Sequence, residues 1–323
     1  MGIGSGKHMI QAEHLVKRYG SNYALNDISF TIGEGEIVGL LGPNGAGKST
    51  AMNILTGYLA PTSGRALVDG RDISEYPAEV KRMIGFLPEQ PPVYPDMTVK
   101  EYLDFVYDLK GCTFPREAHL SEVMAVTRTQ DVQNRLIGNL SKGYRQRVGI
   151  AEALVGDPKI IIFDEPTVGL DPKQIIEIRN LIRNLGQNHT VILSTHILSE
   201  VQAVCDRIII INEGKIIADE KTENITRVVE ENRRYLAKIC GPQREVLSAI
   251  QGITGIVRAD ATGEREGDSY TFEIESERGV DIRKPLFYAM SERGWPIIGL
   301  EAIGMNLEEV FIKIMDADLA RRH

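Results

Sequence analysis

Nine consecutive residues, Gly42-Pro43-Asn44-Gly45-Ala46-Gly47-Lys48-Ser49-Thr50, limit the fold of this chain more than any other stretch. An apolar run, Ile37–Leu41, precedes them, and Ala51-Met52-Asn53-Ile54-Leu55 continues as a helix would. Strand, glycine-rich turn and helix form the setting in which G-x4-G-K-[ST] marks a phosphate-binding loop. The glycines let several backbone N–H groups face one anion, and the helix adds the positive end of its dipole. Lys48 is expected to reach the β- and γ-phosphates, and the Ser49 hydroxyl to hold Mg²⁺. Gly4-Ser5-Gly6-Lys7 near the start is a decoy, with no preceding strand and the wrong spacing. Met1–His8 reads as an added leader, with Met9 as the natural start.

The second half of a nucleoside triphosphatase site is expected at Asp164-Glu165. These carboxylates end the apolar run Ile160–Phe163, as at the open end of a buried parallel strand. Asp164 suits Mg²⁺, directly or through water, and Glu165 suits orientation or deprotonation of the attacking water. His196 ends another apolar strand, Val191–Ser194, and offers a donor to the γ-phosphate from the same crevice. His14, His119, His189 and His323 have no such setting and read as surface residues.

The remaining pattern fills an α/β fold. Short strands are expected at Ile10–Val16, Ile28–Ile32, Arg65–Val68 and Ile84–Leu87. Four prolines make Pro88–Pro95 a loop. Helices are expected at Val99–Leu109, Arg145–Gly156 and Lys173–Leu185, and a hairpin at Ile208–Ala218. After about Thr222, charged residues at Glu230–Arg234 suggest a boundary. Beyond it the order strand, helix, strand, strand, helix, strand, with a last helix at Leu307–Asp318, suggests a split βαβ, ferredoxin-like α+β unit. The expected domains are residues 9–222 and 230–323.

Net charge −8 disfavours nucleic acid as a partner. Three scattered cysteines, Cys112, Cys205 and Cys240, point to a reducing cytoplasm. No run of 18 or more apolar residues stands in the sequence. Work at a membrane would therefore need separate membrane chains.

Leu140-Ser141-Lys142-Gly143-Tyr144 resembles the signature of ABC ATPases, which is most often Leu-Ser-Gly-Gly-Gln. It lies shortly before Ile160–Glu165, and Gly169-Leu170-Asp171 then resembles the D-loop. His196 matches the family's switch histidine, and Tyr19 resembles the aromatic that stacks on adenine. The resemblance spans about Met9–Glu220. It implies a P-loop NTPase cassette of the ABC ATPase type, with a β subdomain and a helical subdomain. It also implies ATP and Mg²⁺, ATP hydrolysis, and a head-to-tail dimer. Each ATP would lie between one phosphate loop and the partner's Ser141 and Gly143, with Asp171 communicating across the interface.

Two departures stand out. Lys142 and Tyr144 replace Gly and Gln in the signature, and Lys142 either adds a cation near the phosphates or faces solvent. Glu89 occupies the expected Q-loop glutamine position and Gln90 follows it, so either is a candidate contact for Mg²⁺ or its water. Leu87-Pro88-Glu89, Leu140–Arg147, Gly169–Gln174 and Asn306–Phe311 look like ATP-binding subunits of ABC-2-type transporters, most of all the gliding-motility-associated group. That likeness implies a cytoplasmic subunit, peripheral on the inner face of the plasma membrane, docked on integral permease subunits through the surface around Glu89–Val99. The alternatives are a soluble ABC ATPase working on ribosomes or DNA, and a nucleotide-gated clamp on a macromolecular partner. The C-terminal unit reads as a dimer brace or as a regulatory, ligand-binding module.

Overall fold

The structure, a computed structural model, describes residues 8–224, 233–277 and 279–304. Residues 1–7 of the expected leader Met1–His8, most of the charged boundary at Glu230–Arg234, the helix expected at Leu307–Asp318 and His323 lie outside these residues, whereas His8 begins a strand. The chain divides into two compact units, Met1–Thr222 and Glu223–His323.

In the first unit, an antiparallel sheet is made by β1 (His8–Tyr19), β2 (Asn22–Gly33), β4 (Ser63–Val68) and β5 (Arg71–Asp72), in the order β2-β1-β4-β5. The second sheet holds β3 (Ile37–Leu41), β6 (Ile84–Leu87), β7 (Ile160–Asp164), β8 (Thr190–Thr195), β9 (Arg207–Asn212) and β10 (Lys215–Lys221). Its order is β10-β9-β3-β8-β7-β6, with β9 through β6 parallel and β10 antiparallel at the edge. Every residue of β3, β7 and β8 is buried, as expected of strands covered on both faces.

The strands His8–Tyr19 and Asn22–Gly33 run longer than their apolar cores suggest. Register shifts in their pairing let polar residues continue the ladder. Helix α1 (Lys48–Leu55) buries Ala51, Met52, Ile54 and Leu55 in a core shared with residues from both sheets. Helix α2 (Pro77–Met83), short and begun by proline, was not expected from the sequence.

Three helices form the expected helical region: α3 (Val99–Leu109), α4 (Arg116–Thr127) and α5 (Lys142–Leu154). Thr98 and Glu101 close a reciprocal capping box at the start of α3, worth about 1 kcal/mol. Helix α5 starts three residues earlier than its apolar spacing predicts, because Ser141 caps it and the following residues are polar. Two further helices, α6 (Pro172–Leu185) and α7 (Leu198–Val204), flank β8 in sequence.

Two of the histidines assigned to the surface, His119 and His189, are half-buried and hydrogen-bonded. His119 Nε2 accepts from the Gly156 N–H at 3.0 Å, and its ring stacks on Phe114. His189 Nδ1 lies 2.8 Å from the Pro158 carbonyl. Both tie the turn after α5 in place, a contact between distant segments that local sequence does not carry.

The second unit contains β11 (Arg233–Cys240), α8 (Gln243–Gln251), β12 (Ile256–Glu266), β13 (Ser269–Ser276), α9 (Arg283–Ser291) and β14 (Ile297–Gly304). Its antiparallel sheet runs β12-β13-β11-β14 and has its own core, including Tyr235, Ile239, Phe272, Ile274, Leu286 and Met290.

Candidate functional site

Strand order alone brings the candidate residues together. Strands β3, β8 and β7 are neighbours, and their last residues are level: Leu41 pairs with Thr195, and Asp164 with Ser194. Gly42, Glu165 and His196 therefore leave the sheet side by side, at the carboxyl edge where parallel sheets bind ligands.

The loop Gly42–Gly47 turns from β3 into α1. Gly47, just before the helix, has φ +111°, and a Cβ there would strike the Ala24 carbonyl. Only glycine meets both conditions. The loop is also braced from behind. Ala46 donates to the Pro43 carbonyl at 3.1 Å, and Gly214, in the β9–β10 turn, donates to the Ala46 carbonyl at 2.9 Å. The Gly214 carbonyl in turn accepts from Asn26 on β2 at 2.8 Å.

Lys48 is 5% exposed, and its ammonium donates to the Gly42 carbonyl at 2.8 Å and the Pro43 carbonyl at 3.2 Å. It also lies 3.6 Å from Glu165 Oε1. Ser49 faces outward and Thr50 is half-buried; Asn44 and Gly45 are exposed at the loop's tip.

Glu165 is 8% exposed and takes φ +50°, an unusual state for a residue with a long side chain. Holding it there costs on the order of 1–3 kcal/mol. Its N–H donates to the Ser194 carbonyl at 3.0 Å, which fixes the turn against β8. His196 Nδ1 lies 3.0 and 3.1 Å from the two carboxylate oxygens of Glu165. One carboxylate is thus set between an ammonium and an imidazole. Asp164 is 6% exposed, and its Oδ1 has no hydrogen-bond partner among the described residues. A buried carboxylate oxygen left without a donor is costly, so it suits a cation arriving with the nucleotide.

The signature lies at the start of α5. Ser141 Oγ accepts from the Tyr144 N–H at 3.4 Å. Tyr144 donates its hydroxyl proton to Asp131 at 2.7 Å, so the residue that replaces the signature's glutamine is tied to its own subdomain. Gly143 is buried under the Gln174 carboxamide, which would have to move to admit a Cβ. Lys142 is exposed, with its ammonium folded over Gly169. Asp171 caps α6, accepting from the Gln174 N–H at 2.9 Å. Signature and D-loop residues therefore touch within one chain. Glu89 and Gln90 are exposed in the loop after β6, the strand beside β7. Tyr19, at the end of β1, is half-exposed with the Lys17 ammonium 5.3 Å from its ring centre.

Sequence reading missed buried charges, Arg147 at 8% exposure and Glu200 among them. Glu200, in the first turn of α7, is 2% exposed. The only local sign was an acidic residue set among Ile197, Leu198, Val201 and Val204.

The family profile described as ABC transporter matches residues 25–168. The bacitracin transport ATP-binding protein BcrA of Bacillus licheniformis is 36% identical over 95% of this chain and 97% of its own length. This chain belongs to the ABC transporter ATP-binding proteins. The lantibiotic transport ATP-binding protein SrtF of Streptococcus pyogenes is 36% identical over 69% of this chain and 95% of its own length. Among solved structures, the MJ0796 cassette, a dimer in a post-hydrolysis state bound to ADP and Pi, superposes with TM-score 0.60 at 30% identity. That match covers 66% of this chain and 99% of the other. CbiO1 from Clostridium perfringens, part of the transporter complex cbiONQ, gives TM-score 0.62 at 28% identity, covering 68% and 91%. The chain is an ATP-binding, ATP-hydrolysing transporter subunit of the ABC family. The BcrA match runs far enough along the chain to include part of the second unit. Among the described residues, no helix is long and apolar enough to cross a membrane.

Proposed function

We propose that this chain is the motor of an ABC-2-type transporter, working as a Mg²⁺-dependent head-to-tail dimer on separate integral permease subunits at the cytoplasmic face of the membrane. The observation that carries the reading is Glu165, held between Lys48 and His196 beside an unpartnered Asp164 oxygen.

The donor set fits a small, hard cation: the Asp164 carboxylate and the Ser49 hydroxyl, with Glu89 or Gln90 from the adjoining loop as a further oxygen. When bound, Mg²⁺ would supply positive charge that offsets that of the phosphates. Loop N–H groups from Gly42 to Thr50 would hold the β-phosphate, while Lys48 exchanges its carbonyl partners for phosphate oxygens. Glu165 would take a proton from the attacking water, and His196 would keep the carboxylate aimed. Tyr19 would stack on the adenine.

Ser141 and the N–H groups near Gly143 begin a helix and would meet the γ-phosphate of ATP held by the other protomer. Loss of that phosphate removes the bridge and favours separation, a shift driven by unequal affinity for two states. Asp171 would face the partner's site. The solved dimeric cassettes of the family support this arrangement.

The motifs at Leu87–Glu89, Leu140–Arg147 and Gly169–Gln174 favour the ABC-2 type and, within it, the gliding-motility-associated group. Their counterpart at Asn306–Phe311 lies outside the described residues. One relative is a bacitracin transport protein and another a lantibiotic transport protein, so no single cargo follows. We read the second unit as ferredoxin-like, on its βαββαβ order and its sheet order β12-β13-β11-β14. It serves as a dimer brace.

Glu165→Gln tests the site. Calorimetry should show ATP binding retained, while phosphate release falls about 10²-fold or more, as for loss of a general base. Wild-type turnover in this variant removes Glu165 from its role.

A further inference from the structure

Two strand ends must hold still for Glu165 and His196 to meet, and one buried carboxylate joins them. Glu200 accepts the Thr167 hydroxyl at 2.7 Å on each oxygen. Its Oε2 also accepts the Thr195 hydroxyl at 3.0 Å. Thr167 lies two residues after Glu165, and Thr195 immediately precedes His196. Thr195 Oγ1 also accepts from the Ile197 N–H at 3.2 Å, which curls the chain around His196. Arg179 on α6 places its Nη2 3.8 Å from Glu200 Oε1, the nearest opposite charge.

Burying a carboxylate this deeply is expensive unless donors and a counter-charge compensate it. Here the compensation comes from the two turns that carry the catalytic pair and from the helix that follows the D-loop. Among the described residues, no hydrogen bond or ion pair joins Glu200 to Glu165 or His196. A simpler packing role would not require both hydroxyls to come from those two turns.

We propose that Glu200 is a positioning residue for ATP hydrolysis: it gathers the Thr167 and Thr195 hydroxyls and so fixes the Glu165 carboxylate against His196. The proposal rests on the assignment of Glu165 and His196 as the hydrolytic pair. The geometry makes the catalytic contact depend on three residues outside the reacting centre.

The test is steady-state ATP hydrolysis by the full chain, with ATP affinity measured separately by calorimetry. Glu200→Ala should lower kcat about tenfold or more, since a small misplacement of reacting groups is enough for that, while ATP affinity stays within about threefold. Thr167→Val combined with Thr195→Val should lower kcat likewise, and Ser at both positions should restore it. In a His196→Ala background, Glu200→Ala should add less than about a twofold further loss, because the two act through one contact. Unchanged turnover in folded Glu200→Ala overturns the proposal, as does an equal loss on top of His196→Ala. If Glu200→Ala does not fold, the Val and Ser variants decide: equal turnover in both overturns it. Glu165→Gln run alongside separates the two ideas. Wild-type turnover there defeats the site assignment itself, whereas a slow Glu165→Gln with a fast Glu200→Ala defeats only the positioning role.

Discussion

At the scale of single residues, the phosphate loop depends on Lys48, which is buried and already bonded to two carbonyl oxygens of its own loop. Its ammonium should make charge-assisted hydrogen bonds to phosphate. Lys48→Ala should therefore weaken ATP binding by roughly 10- to 100-fold in calorimetry, corresponding to about 1.5–3 kcal/mol for bonds of this kind. Unchanged affinity would contradict the loop assignment. His196→Ala has the opposite profile: near-normal ATP affinity, with turnover about 10²-fold slower in a phosphate-release assay. The convergence of Lys48, Asp164, Glu165 and His196 was legible in the sequence, because each follows a largely apolar strand. The left-handed backbone at Glu165 was not legible, since nothing in Asp164-Glu165-Pro166 demands it. Glu200 was hidden for another reason. Its two hydroxyl partners are 5 and 33 positions away, at the end of β8 and in the turn after β7, and only the fold brings them together.

At the scale of elements, the end of α5 is held by a buried lysine. Lys110, just after α3, donates to the carbonyls of Glu152 at 2.7 Å and Val155 at 2.9 Å. Tyr102 on α3 donates to the Glu152 carboxylate at 2.7 Å, so the two helices are joined near the same place. Burial lowers the Lys110 pKa from its ordinary 10.5 to about 8, with the Glu152 and Cys112 charges opposing the shift. The same burial raises that of Glu152, against the Tyr102 hydrogen bond and the Lys110 charge. Between those two Lys110 values the unfolded chain holds more protons than the folded one, so stability rises with pH there. This contribution is present above pH 10.5 and is lost as pH falls through about 8. Urea melts of wild type and Lys110→Met at about pH 7.5 and about pH 9.5 should show wild type gaining about 1–2 kcal/mol relative to the variant. A constant difference would mean that Lys110 titrates outside this window. Element positions were legible wherever apolar spacing was strong, as in Val99–Leu109 and Ile84–Leu87. The short helices α2 and α7 span only two turns each, too little pattern to separate them from loops.

At the scale of the whole molecule, the proposed cycle predicts a change of association state. Glu165→Gln with ATP should elute as a dimer in gel filtration, and as a monomer with ADP. Elution as a monomer in both would count against the head-to-tail arrangement. Each unit carries its own core, so a chain ending at Thr222 should fold and bind ATP. If the second unit is a brace, the ATP-bound dimer of that shorter chain should dissociate at higher concentration than the full chain, by light scattering. Sequence reading reached the two-unit plan because apolar patterning restarts after a charged stretch. The βαββαβ order suggested which strands neighbour β11, but the register of β11 against β13 and β14 was not legible, since it is set by packing across the whole unit.

The bond from Gly214 to Ala46, passed on to Asn26, has a consequence for how the nucleotide arrives. The receptor for the anion is finished when the chain finishes folding, propped by a turn and a strand that lie outside the phosphate loop. Little conformational freedom then remains to be surrendered on binding, and affinity for the triphosphate tail goes almost undiminished into the complex. A substitution in that turn, outside the phosphate loop itself, should loosen the seat and show itself first as faster escape of ATP.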